Sequence, residues 1–161
     1  MTNPPESLTY SSVVSHDSVR INFVIANQNG LDILAAEIGN TYLNAPFREK
    51  IYFTAGSEFG NRIGVSVVVV LALYNLRTSV SDWIAHSSET TRGMDFIPLE
   101  ADPDVWMQKS TKSNLFKHWE YLLIFVDNIL CVSEHLDKVT ENIKNVYRLK
   151  GETSGKTHGS P

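Results

Sequence analysis

The chain has 161 residues, 42% of them hydrophobic and 20% charged, which is enough to bury a core and ordinary for a folded globular protein. Its 14 basic residues against 18 acidic ones, a formal charge of −4, argue against a free-standing nucleic-acid binder, which usually shows a basic surplus or stripe. A single cysteine, Cys131, excludes an internal disulfide or a cysteine-rich zinc site and fits a reducing compartment.

The longest apolar run, Val65 to Tyr74, is about half of the ~20 residues that span a bilayer. The N-terminal Met-Thr-Asn-Pro-Pro-Glu lacks the basic and apolar parts of a signal peptide. A cytoplasmic chain without membrane partners is expected.

In chain order, residues 1–14 read as a loose lead-in. From His16 to Asn27 the spacing of Val19, Phe23, Val24 and Ala26 predicts a helix, with Ser15 as N-cap and Gly30 past its end. Leu31 to Ile38 reads as a strand running into a turn-rich segment that ends at Pro46. Ile51 to Thr54 is a short strand, and Gly56, Gly60 and Gly64 punctuate the loop after it. Val65 to Leu71 is β-branched enough to predict a buried strand. Val80, Trp83 and Ile84 predict a helix that weakens through Ser87 to Thr91, residues that prefer caps and turns. Asp102-Pro-Asp104 is a turn, Val105 to Gln108 a strand, and Ser110 to Asn114 a polar loop. Leu136, Val139, Ile143 and Val146 predict an amphipathic helix to about Lys150. Residues 151–161 read as a disordered tail. The expected architecture is one α+β domain over 15–150, an antiparallel sheet with helices on one face.

Within it, Tyr121 to Ser133 reads as a β-hairpin: two apolar runs flank Asp127-Asn128, the expected turn. Alternation places Leu123, Phe125 and Asp127 on one face. Leu31, Ile33 and Ala35 share a face with Glu37 in the same way. Two acids that each end an apolar strand face meet if the strands pair. The plainer reading makes Asp127-Asn128 a turn and Glu37 a solvated strand end. The five histidines are scattered; His86 and Glu89 have no third ligand near them. Cys131, inside the return strand, reads as a buried structural thiol.

Four blocks come in order: Ala36-Glu-Ile-Gly-Asn-Thr-Tyr-Leu-Asn-Ala-Pro46, Ala72-Leu-Tyr-Asn-Leu-Arg77, Ala101-Asp-Pro-Asp-Val-Trp106 and Phe125-Val-Asp-Asn-Ile-Leu130. Together they resemble the successive blocks of the reverse transcriptase of copia-type retrotransposons, over residues 8–150. The resemblance implies the palm and part of the fingers of a right-hand polymerase. It implies RNA-directed DNA synthesis on an RNA template and DNA primer, from deoxynucleotides, in a virus-like particle context. Two Mg²⁺ ions about 3.5–4 Å apart would clamp the attacking and leaving oxygens. The family's three catalytic aspartates correspond here to Glu37, Asp127 and Asn128, with Glu37 and Asp127 as the metal ligands. Tyr42 stands where the family packs an aromatic under the incoming sugar. Tyr74, Asn75 and Arg77 stand in the block lining the nucleotide and template.

The departures fall on the chemistry. Glu37 is one methylene longer than aspartate, and a misplacement of about 1 Å can cost on the order of 10²-fold in rate. Asn128 replaces a carboxylate by an amide, a poorer Mg²⁺ ligand. Asn75 replaces a glycine, either adding a side chain near a ligand or occupying a backbone position with positive φ. The family's basic fingers strand, thumb and ribonuclease H segments have no counterpart in this sequence. The expectation is a catalytically impaired copy; the alternative is a non-enzymatic α+β interaction or relic module.

Overall fold

The computed structural model describes residues 14–156; all but Val14 of the lead-in, and 157–161 of the expected tail, lie outside them. The elements in order are α1 (His16–Asn29), β1 (Asp32–Ile38), β2 (Tyr52–Thr54), β3 (Ser66–Val68), α2 (Ser79–Gly93), β4 (Ile97–Pro98), β5 (Val105–Thr111), β6 (Lys117–Phe125), β7 (Asn128–Ser133), α3 (Leu136–Lys144) and β8 (Leu149–Gly155). Short 3₁₀ helices span Thr41–Asn44 and Ser57–Arg62. Among the described residues no helix is long and apolar enough to cross a membrane.

The expected α+β class is observed, and the described residues divide into two compact units. Residues 14–40 and 88–156 build the larger one around a six-stranded sheet of order β4-β5-β6-β7-β1-β8, antiparallel at every pairing. Residues 41–87 form the other. The physical reason is topological: β1 pairs with strands from the far end of the chain, so the sheet closes without the intervening segment.

In the larger unit α1 starts as the sequence predicts. Ser15 Oγ accepts from Ser18 N at 2.9 Å, and Gly30 ends the helix at φ 59, the left-handed conformation glycine adopts without a Cβ penalty. Asp102 anchors this start from 84 residues away, its Oδ2 accepting from Ser15 N (3.2 Å) and Ser18 Oγ (2.5 Å). Oδ1 of the same residue accepts from Asp104 N at 3.3 Å. Val14, Val105 and Leu123 are buried together, with Val19, Tyr121 and Leu130 packed on them, and Ala26, Leu31 and Val132 form a second cluster.

Pleat alternation sorts the sheet into two faces. α1 packs on the odd-numbered row of β6, Tyr121 and Leu123. α3 lies beside the even-numbered row, its Val139 and Asn142 sharing a cavity wall with Glu120. Helices therefore occupy both faces rather than one, because β6 and β7 carry buried side chains on both and each row needs a cover.

Three segments differ from expectation here. α3 stops at Lys144 and the chain turns into β8, so residues 149–155 are a strand, not the end of a helix and a disordered tail. The unpaired edge of β1 supplies the hydrogen bonds that recruit this polar segment, and Gly151 at φ 61 allows it to bend. α2 continues through Ser87 to Thr91; Ser87 Oγ donates back to Ile84 O at 3.2 Å, satisfying the hydroxyl without ending the helix. β5 extends through Ser110 and Thr111 because both pair with β6.

In the unit of residues 41–87, β2 and β3 form a two-stranded ribbon. The predicted buried strand at 65–71 is shorter and mostly exposed, Val65, Val68 and Val70 among the exposed apolar residues. A two-stranded ribbon gives each side chain a single neighbouring strand to pack on. Buried Asp82 ties this unit together, its Oδ1 lying 3.6 Å from Arg48 Nε.

Two outcomes follow from the larger unit. Asp102→Ala removes two hydrogen bonds at the start of α1 and one to Asp104 N, and should lower stability by about 1–3 kcal/mol in urea unfolding; an unchanged midpoint would show that the anchor contributes nothing. Burial, and then the charge of Glu120, push the Cys131 thiol up from its ordinary 9.0. Above that value the unfolded chain releases a proton that the folded chain keeps, so stability is full below pH 9.0 and falls as pH rises, by up to about 1.4 kcal/mol per pH unit. Urea midpoints between pH 8 and 10 should show a shallower decline in Cys131→Ala.

Candidate functional site

The two strands expected to carry the acids do not pair: β7 lies between β1 and β6, and Asp127 falls in the turn between β6 and β7. β1 and β7 run antiparallel with Leu34 opposite Cys131, Ala36 opposite Ile129 and Glu37 opposite Asn128. Ile38 N donates to Asp127 O at 2.6 Å, closing the end of the ladder. On the other side of β1, a register shift between Ala35 and Glu37 sets Lys150 of β8 opposite Glu37. The acid thus stands between an amide on one neighbouring strand and a cation on the other.

The hairpin turn is centred one residue earlier than the sequence suggests. Phe125 pairs with Asn128, so Val126 and Asp127 form the turn. The apolar row therefore ends at Phe125 and continues across the turn into Asn128, and Asp127 leaves it. Two-residue hairpins favour a turn with positive φ at the first central position, which matches strand twist. Here that position is Val126, at φ 48. A β-branched residue in this region is a genuine outlier, and such strain gathers at functional sites. No sequence signal marked it, since valine reads as strand.

Glu37 and Asn128 share the wall of a cavity of about 420 Å³ with Ala35, Phe125, Leu130 and α1's Phe23. Both polar residues are exposed. Asp127 does not line it. Instead its Oδ1 accepts from Asn128 Nδ2 at 3.0 Å. The third position of the predicted set is therefore a donor aimed at the second, where a metal centre needs another oxygen. Among the described residues no group of three or more His, Cys, Asp and Glu side chains is placed to hold a metal ion. Mg²⁺ takes oxygen ligands in near-octahedral geometry, and this set does not fit a pair of such ions.

The other predicted residues, Tyr42, Tyr74, Asn75 and Arg77, lie in the unit of residues 41–87. Tyr42 and Tyr74 meet edge to face, ring centroids 4.7 Å apart at 78°. Asn75 has φ 69, a backbone conformation that asparagine is among the few residues to tolerate. Arg77 is exposed.

Sequence reasoning missed a second polar set on the opposite face, that of the even-numbered residues of β6. His118 and Glu120 are buried on β6 and Ser133 on β7. The signal was present in Lys117-His-Trp-Glu-Tyr-Leu, where a histidine and a glutamate two apart take the row that Leu122 continues.

Compared with protein-family models, with curated proteins and with solved structures, the chain matches none.

Relief of the turn strain is measurable. Val126→Gly removes about 1–3 kcal/mol of strain against about 0.5–1 kcal/mol for the greater freedom of glycine in the unfolded chain. The variant should unfold at higher urea than the native chain; a lower midpoint would show that Val126 is unstrained.

Proposed function

We propose that this chain is the palm and partial fingers of a copia-type retrotransposon reverse transcriptase whose metal site has been altered, leaving polymerisation impaired. The observation that carries the reading is the β1–β7 register, which sets Glu37 opposite Asn128 at the mouth of a hairpin. The first and third members of the family's acidic set would meet in this way. Four sequence blocks in family order, and the strained Val126 within the fourth of them, in the turn between β6 and β7, support the same reading.

The impairment rests on donor chemistry. Asn128 offers Asp127 a hydrogen bond where a third carboxylate would offer a metal a lone pair. Glu37 carries its charge one methylene further from the backbone than aspartate would, and Lys150 stands across from it on β8.

A second reading, a non-enzymatic interaction or relic module, is favoured by one observation. The ribbon of residues 41–87 leaves Tyr52, Phe53 and Val68 exposed, as surfaces that bind other proteins do.

Primer extension on an RNA template, with Mg²⁺ and then Mn²⁺, separates the readings. The native chain is compared with the double variant Glu37→Asp, Asn128→Asp, with circular dichroism confirming that both fold. The native chain should yield no product and the double variant should extend the primer. Product from the native chain would overturn the impairment. Silence from both folded chains would favour the interaction module.

A further inference from the structure

The face formed by the even-numbered residues of β5 and β6 and the odd-numbered residues of β7 carries buried polar groups where a covered sheet face is normally apolar. Cross-strand pairing sets Gln108 opposite Glu120 and Ser110 opposite His118. Glu120 is 4% exposed and His118 8%. Ser133 Oγ donates to Glu120 Oε1 at 2.6 Å and is itself held by His135 N at 2.7 Å. The hydrogen bond to the Glu120 carboxylate from the described residues falls on Oε1, and Oε2 faces none. Both ring nitrogens of His118 are buried without a hydrogen-bond partner, Nε2 lying 3.8 Å from Oε1, within ion-pair distance. A buried carboxylate is costly unless its remaining lone pairs are met, and native proteins meet them.

Glu120 forms part of the wall of a cavity of about 600 Å³ beside α3, within the size range of small-molecule sites. The wall also offers the Ser110 hydroxyl and the amides of Asn142 and Asn145. Gln108 commits its Nε2 to Met94 O at 3.3 Å, which keeps its amide oxygen as an acceptor. Lys109 and Lys138 also line the cavity but are exposed, so Glu120 is the deeply buried charge. An anion would meet that carboxylate unscreened. A metal would find no set of three ligating side chains among the described residues.

We propose that this cavity binds a small organic cation bearing a primary ammonium or guanidinium group, with Glu120 as its counter-ion. The ammonium or guanidinium hydrogens meet Oε2 and the neighbouring hydroxyl and amide oxygens, and the apolar stem lies along Val139 and Val146 of the same wall. Attraction to Glu120 is stronger there than in water because solvent screening is reduced. The proposal is independent of the polymerase reading, since Glu37 and the hairpin turn lie on the other side of the sheet's alternation.

The test is calorimetric titration of the full chain with agmatine and putrescine, with butanediol as the uncharged control. Saturable binding of the two cations and none of the diol is expected. Glu120→Gln should weaken binding by more than about tenfold with the circular dichroism spectrum unchanged. If that variant does not fold, Asn142→Trp, at an exposed position on α3, obstructs the cavity instead. Loss of binding there supports the site and retention overturns it. Absence of saturable agmatine binding to the native chain, equal binding by folded Glu120→Gln, or a diol that binds as tightly as the cations would each overturn the proposal.

Discussion

The antiparallel pairing of β1 with β7 is the constraint on which the larger unit depends. Side chains alternate with a period of two, so a slip of one residue would send Leu34, Ala36 and Ile38, now buried, to the other face and bring Glu37 into their row. Two terminal bonds hold the register, Ile38 N to Asp127 O and Gly39 N to Arg148 O. The first ties β1 to the hairpin turn and the second ties it to the approach to β8. With β1 fixed between β7 and β8, α1 covers one row and α3 the other.

That register also decides what the hairpin can do chemically. It brings Glu37 to Asn128 and leaves Asp127 in the turn, bonded to its own neighbour. The scaffold of a two-strand acidic site and its donor set are separable: the pairing depends on backbone bonds and apolar rows, the ligands on a few exposed side chains. Substitution at the exposed positions changes the chemistry at little cost to the fold, because surface changes away from caps and strained turns move stability by about 0.5 kcal/mol or less. The strain at Val126 belongs to the scaffold, since the turn imposes it whichever side chains follow.

The two faces of the sheet solve opposite problems. The α1 face is apolar up to its edge, where Glu37 and Asn128 are solvated. The α3 face buries Glu120, His118 and Ser133, and its stability depends on how those groups are satisfied. Cys131 sits in the same row, its thiol held neutral by burial and by the nearby carboxylate. A chain that keeps such a row spends stability on polar groups an apolar core would not need.

Local patterning was enough to locate α1, with its Ser15 cap and Gly30 stop, the β1 strand and the β6–β7 hairpin, because caps, turn residues and period-two alternation act over a few residues. The same patterning brought out Glu37 and Asp127 as acids that end apolar strand faces, and Asp127-Asn128 as the turn. It misjudged what depends on partners distant in sequence. The tail from Gly151 became β8 because β1 had an open edge, the run at 65–71 became a short exposed strand because its sheet had two strands, and α2 continued past its serines because Ser87 found a carbonyl within its own helix. The centre of the hairpin turn, the pairing of Glu37 with Asn128 and the burial of His118 beside Glu120 were decided by the tertiary structure alone. Each depends on register between strands, and register is set by the summed burial of whole rows, which no short window of sequence contains.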